Sequence, residues 1–213
     1  MLDFQFVGDP HNAQAMSAYM RDQFTFVGLK SPERKLQEKP LLQQAKNWDQ
    51  GQLLEAFADL YARPEREYQY AALDLARKYA TRFDFDGIQT LAGYITVKPW
   101  WDTVDNLRPI FWLYLKHHYE DMPKIWALFY GQDDFWLRRV AITLQLSAKS
   151  ETDVQLLTQV IDYDLQTDEF FIQKAIGWAL RQYARTDAQW VKAFIHAHHE
   201  LSKLAVREAT KHL

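Results

Sequence analysis

Phe170-Phe171-Ile172-Gln173-Lys174-Ala175-Ile176-Gly177-Trp178-Ala179-Leu180-Arg181-Gln182-Tyr183-Ala184 is a helical phrase whose skeleton recurs along the chain. Phe135-Trp136-Leu137-Arg138-Arg139-Val140-Ala141 aligns beneath it at an offset of 35, and Trp100-Trp101-Asp102-Thr103-Val104-Asp105 lies 35 earlier still. Downstream, Leu204-Ala205-Val206-Arg207-Glu208-Ala209 follows after 34 positions, and Glu67-Tyr68-Gln69-Tyr70-Ala71-Ala72-Leu73 fits about 33 positions before the Trp100 phrase. A period in the thirties with two helical segments per unit and no strand signal marks stacked helical hairpins, because each hairpin buries its apolar side only against its neighbours. The expected architecture is all-α, a solenoid of about twelve helices in one domain spanning residues 1–213.

Punctuation along the chain agrees. Seven Gly and seven Pro stand mostly where short loops should join antiparallel helices. Ser31-Pro32-Glu33-Arg34 reads as a helix start with Ser31 as N-cap. Thr152-Asp153 and Thr186-Asp187 read as two more, and Gly131 followed by Asp133-Asp134 as a stop and restart. Pro40 is expected to kink or divide the helix begun at Ser31, and Lys98-Pro99-Trp100-Trp101 to open the central one. Aromatic side chains, 15% of the chain with 8 Trp, should mostly fill the seams between hairpins.

Composition narrows the function classes. The 213 residues are 48% hydrophobic and 25% charged, as in an ordinary globular protein. With no cysteine, a disulfide framework and a thiolate metal site are excluded, which fits a reducing, cytoplasmic setting. No apolar run reaches the roughly 18 residues of a spanning helix, and Met1-Leu2-Asp3-Phe4 is unlike a signal peptide, so membrane and export readings are set aside. A net charge of −3 argues against nucleic acid as a partner, yet residues 170–213 carry seven basic and three acidic side chains. Such segregation builds a basic face, or simply a solvated one. His196, His198 and His199, and the pair His117-His118, match no zinc spacing, and no Gly-rich phosphate loop occurs, so no metal or cofactor is expected.

Trp101 and Asp105 stand four apart on a helical segment and emerge on one face. The pair suits a cationic centre: a ring face offers about 0.5–2 kcal/mol to a cation, and a carboxylate about 4 kcal/mol at 4 Å in a partly screened site. If the charge develops in a transition state, the second figure corresponds to roughly a thousandfold in rate. Strict alignment sets Asp105 level with Val140 and Ala175; a register one residue off sets it level with Arg139. A structural salt bridge is the plainer reading of Asp105, and Arg139 is either its partner or a phosphate clamp.

The Trp100–Asp105, Trp136–Ile142 and Lys174–Tyr183 phrases, with Phe24-Thr25-Phe26-Val27-Gly28-Leu29 ahead of Ser31-Pro32-Glu33-Arg34, resemble the AlkD-type DNA alkylation repair family, in order across nearly the whole chain. The resemblance implies a right-handed superhelix of HEAT-like repeats acting as a DNA glycosylase on positively charged alkylpurines such as 7-methylguanine and 3-methyladenine. It implies Asp105 as catalytic carboxylate, Trp101 and Trp178 as aromatic walls and Arg139 at the DNA backbone. Duplex DNA would then lie on the concave surface of a monomer, with Arg138, Lys174, Arg181, Arg207 and the helix headed by Ser31 as further phosphate contacts. The competing reading is a helical-repeat module that binds DNA or protein there without chemistry.

Overall fold

Side-chain oxygens at helix starts set much of the architecture. In the computed structural model, which describes residues 2–213, the described residues form twelve α-helices, are 71% helical and contain no strand. They are α1 (Pro10–Tyr19), α2 (Ser31–Gln44), α3 (Gln50–Ala62), α4 (Arg66–Lys78), α5 (Phe85–Gly93), α6 (Trp101–Leu115), α7 (Met122–Phe129), α8 (Phe135–Thr143), α9 (Val154–Tyr163), α10 (Phe170–Ala184), α11 (Ala188–Ala197) and α12 (Lys203–Ala209). Asp9, Asp49, Asp134, Asp153, Glu169, Asp187 and Ser202 each accept a backbone N–H of the helix they open. A cap of this kind contributes about 1 kcal/mol. None of the helices is long and apolar enough to cross a membrane.

Two expectations need correcting. Lys30, not Ser31, is the N-cap of α2; Ser31 is its first helical residue, and the Glu33 carboxylate accepts the Lys30 N–H at 3.1 Å. Of the two outcomes expected at Pro40, division does not occur, since α2 runs unbroken through it.

The chain forms two compact units, one up to Gly87 and the other Ile88–Leu213. In the first, α4 packs against α2 and α3 around Leu53, Phe57, Leu60 and Leu75. Its buried Glu67 accepts the N–H groups of Val27, Gly28 and Leu29 at 2.9, 2.9 and 3.0 Å. One charge-assisted cluster thus ties the Phe24–Leu29 phrase to α4. Gly28, at φ 98°, lets the chain pass so close to α1 that a Cβ there would stand 1.9 Å from the Asp9 carbonyl oxygen.

In the second unit α6, α8, α10 and α12 lie side by side, while α7 and α9 pack on α8 and α11 on α10. Leu107, Phe111, Phe129, Val140, Ile172, Ile176 and Ala205 fill the interior. Gly177 lets α12 approach α10: a Cβ there would meet the Glu208 Cβ at 2.4 Å and the Ala205 oxygen at 2.7 Å.

A repeated device closes the hairpins. The fourth residue of α10, Gln173, donates to the carbonyls of Asp164 (3.3 Å) and Thr167 (2.6 Å) in the loop before it. Gln69, the fourth residue of α4, does the same to Tyr61 (3.1 Å) and Arg63 (2.7 Å). In α8 that position is Arg138, whose Nη1 donates to Gln132 (2.8 Å) and Asp133 (2.7 Å).

Candidate active site

The site is built on the first two turns of three neighbouring helices. Extended backbone at Trp100 (φ −159°, ψ 162°) starts α6, and the Trp100 ring turns to Trp136 and Phe171, with centroids at 6.2 and 5.2 Å. Trp136 and Phe171 in turn meet at 4.8 Å. Those two are the second residues of α8 and α10, so the aromatic cluster fixes the three helix starts at a common level. The starts are spaced by 34 and then 35 positions, which resolves the register in favour of the one-residue slip. Asp105, Arg139 and Lys174 are each the fifth residue of their helix, whereas Val140 and Ala175 are fully buried one position on.

Across that level Arg139 grips Asp105 with both arms of its fork: Nε donates to Oδ1 at 2.9 Å and Nη2 to Oδ2 at 2.7 Å. Its Nη1 donates to the Phe171 carbonyl at 2.5 Å, so one guanidinium spans α6, α8 and α10. The Arg139 side chain is 6% exposed and that of Asp105 17%. An ionised carboxylate offers about four acceptor positions, and the fork occupies two of them. Asp105 therefore has a fixed orientation, some open surface and capacity for a further donor. Trp101, one turn before Asp105, and Trp178, one turn after Lys174, are both partly exposed. By helix spacing each shares the face of its neighbour on this row.

The basic residues divide. Besides its loop carbonyls, Arg138 donates through Nε to Asp164 at 3.1 Å. Expected at a DNA backbone, it instead secures its own hairpin. Lys174 and Arg181 converge with Lys211 on the buried Glu208, at 2.9, 2.9 and 2.7 Å. Their donated hydrogen bonds, from Lys211 and Lys174 above all, hold the Glu208 carboxyl down at about 2. Three cations around one anion leave this corner net positive, and the lysines are 39% and 47% exposed. Arg207 of α12 is exposed, whereas Ser31 belongs to the other unit. Sequence reasoning missed Glu208 as the hub; its signal was the 34-residue spacing from Lys174, the same spacing that separates Asp105 from Arg139. Two of the histidines stack on rings: His198 on Phe194 at 3.8 Å and His118 on Tyr114 at 4.6 Å.

The family model described as DNA alkylation repair enzyme matches residues 1–213. A solved structure described as a predicted DNA alkylation repair enzyme from Enterococcus faecalis is 45% identical, covers 99% of this chain and 98% of its own, and superposes with a TM-score of 0.95. No curated protein matches.

Proposed function

From the chain's membership of the DNA alkylation repair enzyme family, which gives it a role in the repair of alkylated DNA, we propose that it is a monofunctional DNA glycosylase. It hydrolyses the N-glycosidic bond of cationic N3- or N7-alkylated purines, such as 3-methyladenine and 7-methylguanine, in duplex DNA. The observation that carries this reading is the partly open Asp105 carboxylate, aimed by the Arg139 fork and left with acceptor capacity.

A purine already bearing positive charge departs without protonation, so no general acid is required. The electron-poor sugar left behind needs a nearby anion and an oriented water, and Asp105 supplies both roles. Arg139 tempers the first. With a carboxylate about 4 Å from the sugar and a guanidinium about 4 Å farther, the net attraction is roughly 2 kcal/mol rather than 4. That is about thirtyfold in rate, and water orientation must provide the rest. Trp101 and Trp178 flank the cation with ring faces. Lys174, Arg181 and Arg207 supply positive charge to the phosphates.

A second reading is favoured by the ion pair itself, since a structural bridge has the same geometry: a helical-repeat module that binds DNA or protein without cleaving it. One assay separates the two. Duplex containing 7-methylguanine is incubated with the protein and the free base quantified; release supports the glycosylase, and salt-sensitive DNA binding with no release from any alkylated duplex supports the module.

A further inference from the structure

On the side of the second unit formed by α7, α9 and α11, away from the Asp105 row, lies an open cleft of about 540 Å³. Tyr130, Tyr163 and Trp190 line it, with Gln155, Thr158, Gln159 and Asp162 among its polar residues. These rings are held in place. Tyr130 stacks on Trp126 at 5.1 Å and meets Tyr163 edge-on at 5.4 Å and 61°. Trp190 stacks on Phe194 at 4.9 Å, takes Tyr183 edge-on at 5.3 Å, and has its backbone N–H bonded to Asp187 at 2.8 Å.

Asp162 is the single charged side chain of this lining, 47% exposed, and the described contact with His198 Nε2 at 3.3 Å involves Oδ1. Ring faces are electron-rich, and none of the described residues lining the cleft is a lysine or arginine. Tyr163 remains 51% exposed although it belongs to this aromatic group. A phosphate would be repelled by the Asp162 carboxylate. A weakly hydrated organic cation satisfies both the rings and Asp162.

We propose that this cleft is a second binding site, distinct from the Asp105 row, for an organic cation: a quaternary ammonium or guanidinium group carried by a free small molecule or by a protein side chain. The test follows the indole N–H resonance of Trp190 in ¹⁵N-labelled full-length protein. Tetramethylammonium and guanidinium chlorides are titrated against sodium chloride of equal ionic strength, with tert-butanol and urea as their neutral counterparts. Both cations should give a saturable shift of Trp190 with Kd in the millimolar range, roughly −3 to −4 kcal/mol, and the neutral compounds none. Asp162→Asn and Tyr163→Leu should each weaken binding about tenfold, or 1.4 kcal/mol, while the indole signals of the other seven tryptophans stay in place and report an intact fold. A trimethyllysine peptide binding tighter than tetramethylammonium identifies a side chain as the source, and equal binding a free cation; either upholds the site. Equal shifts with tert-butanol, or no saturable shift up to about 100 mM cation, overturn it.

Discussion

Arg139 reaches Asp105 across 34 positions of sequence and one helical repeat, and holds it by two N–H···O bonds of 2.9 and 2.7 Å. A planar fork fixes a carboxylate in plane and azimuth, which a lysine cannot do. If that orientation matters to chemistry, Arg139→Lys should slow single-turnover base release by about 10- to 100-fold. DNA affinity and its salt slope should change little. In the charge-removing variant Arg139→Gln, a salt slope reduced by about one with release unchanged would instead make Arg139 a phosphate clamp.

Pro109 stands one turn after Asp105 inside α6 and, lacking an N–H, cannot donate the helical hydrogen bond to the Asp105 carbonyl. A proline inside a helix costs about 3 kcal/mol relative to alanine. Pro109→Ala should therefore stabilise the protein by about 1–3 kcal/mol in urea unfolding. By restoring a regular turn under Asp105, it should also slow base release. A variant that is more stable and equally fast would show that the break in the ladder has no functional role.

The Glu208 hub makes stability depend on acid. Its folded-state pKa of about 2 lies below the ordinary 4.5, so the folded protein binds fewer protons between those values and loses stability as pH falls through them. The contribution is fully present above about 4.5. Because two of the three cations stand half in water, we assign it about 1–2 kcal/mol. Glu208→Gln should be destabilised by that amount at pH 7, and the difference from wild type should shrink toward pH 2–3 in chemical denaturation.

Glu38 behaves oppositely. Burial in the first unit, against the pull of Arg34 at 2.5 Å and with the added push of Asp74, raises its pKa to about 8. The folded state then holds a proton that the unfolded chain has released, so this group's contribution is greatest below 4.5 and is lost as pH rises to about 8. Between about pH 5 and 8 the stability of Glu38→Gln should improve steadily relative to wild type and level off above 8; a constant difference across that window would contradict the raised pKa.

The period of the repeat, the caps at Asp153 and Asp187 and the opening of α6 at Trp100-Trp101 were legible because they rest on local rules of spacing and capping. The phase of the repeat was not. One residue turns a helix by about 100°, so alignment on Trp100 and Phe135 placed Asp105 against Val140, whereas the helix starts at Trp101, Phe135 and Phe170 place it against Arg139. Arg138 was misjudged for a related reason. Charge in a sequence says nothing of direction, and only its shared position with Gln69 and Gln173 reveals a clamp on the preceding loop. The fork itself was open to inference as one of two options, and its bidentate form required coordinates.

The central claim is that the Asp105 carboxylate drives base departure. Its most direct test is the single-turnover rate of 7-methylguanine release at saturating protein, wild type against Asp105→Asn, with DNA affinity measured in parallel. Loss of the negative charge, with an isosteric side chain left beside Arg139, should lower the rate at least about 100-fold while affinity for the duplex stays within a few-fold. Equal rates for the two proteins would contradict the account.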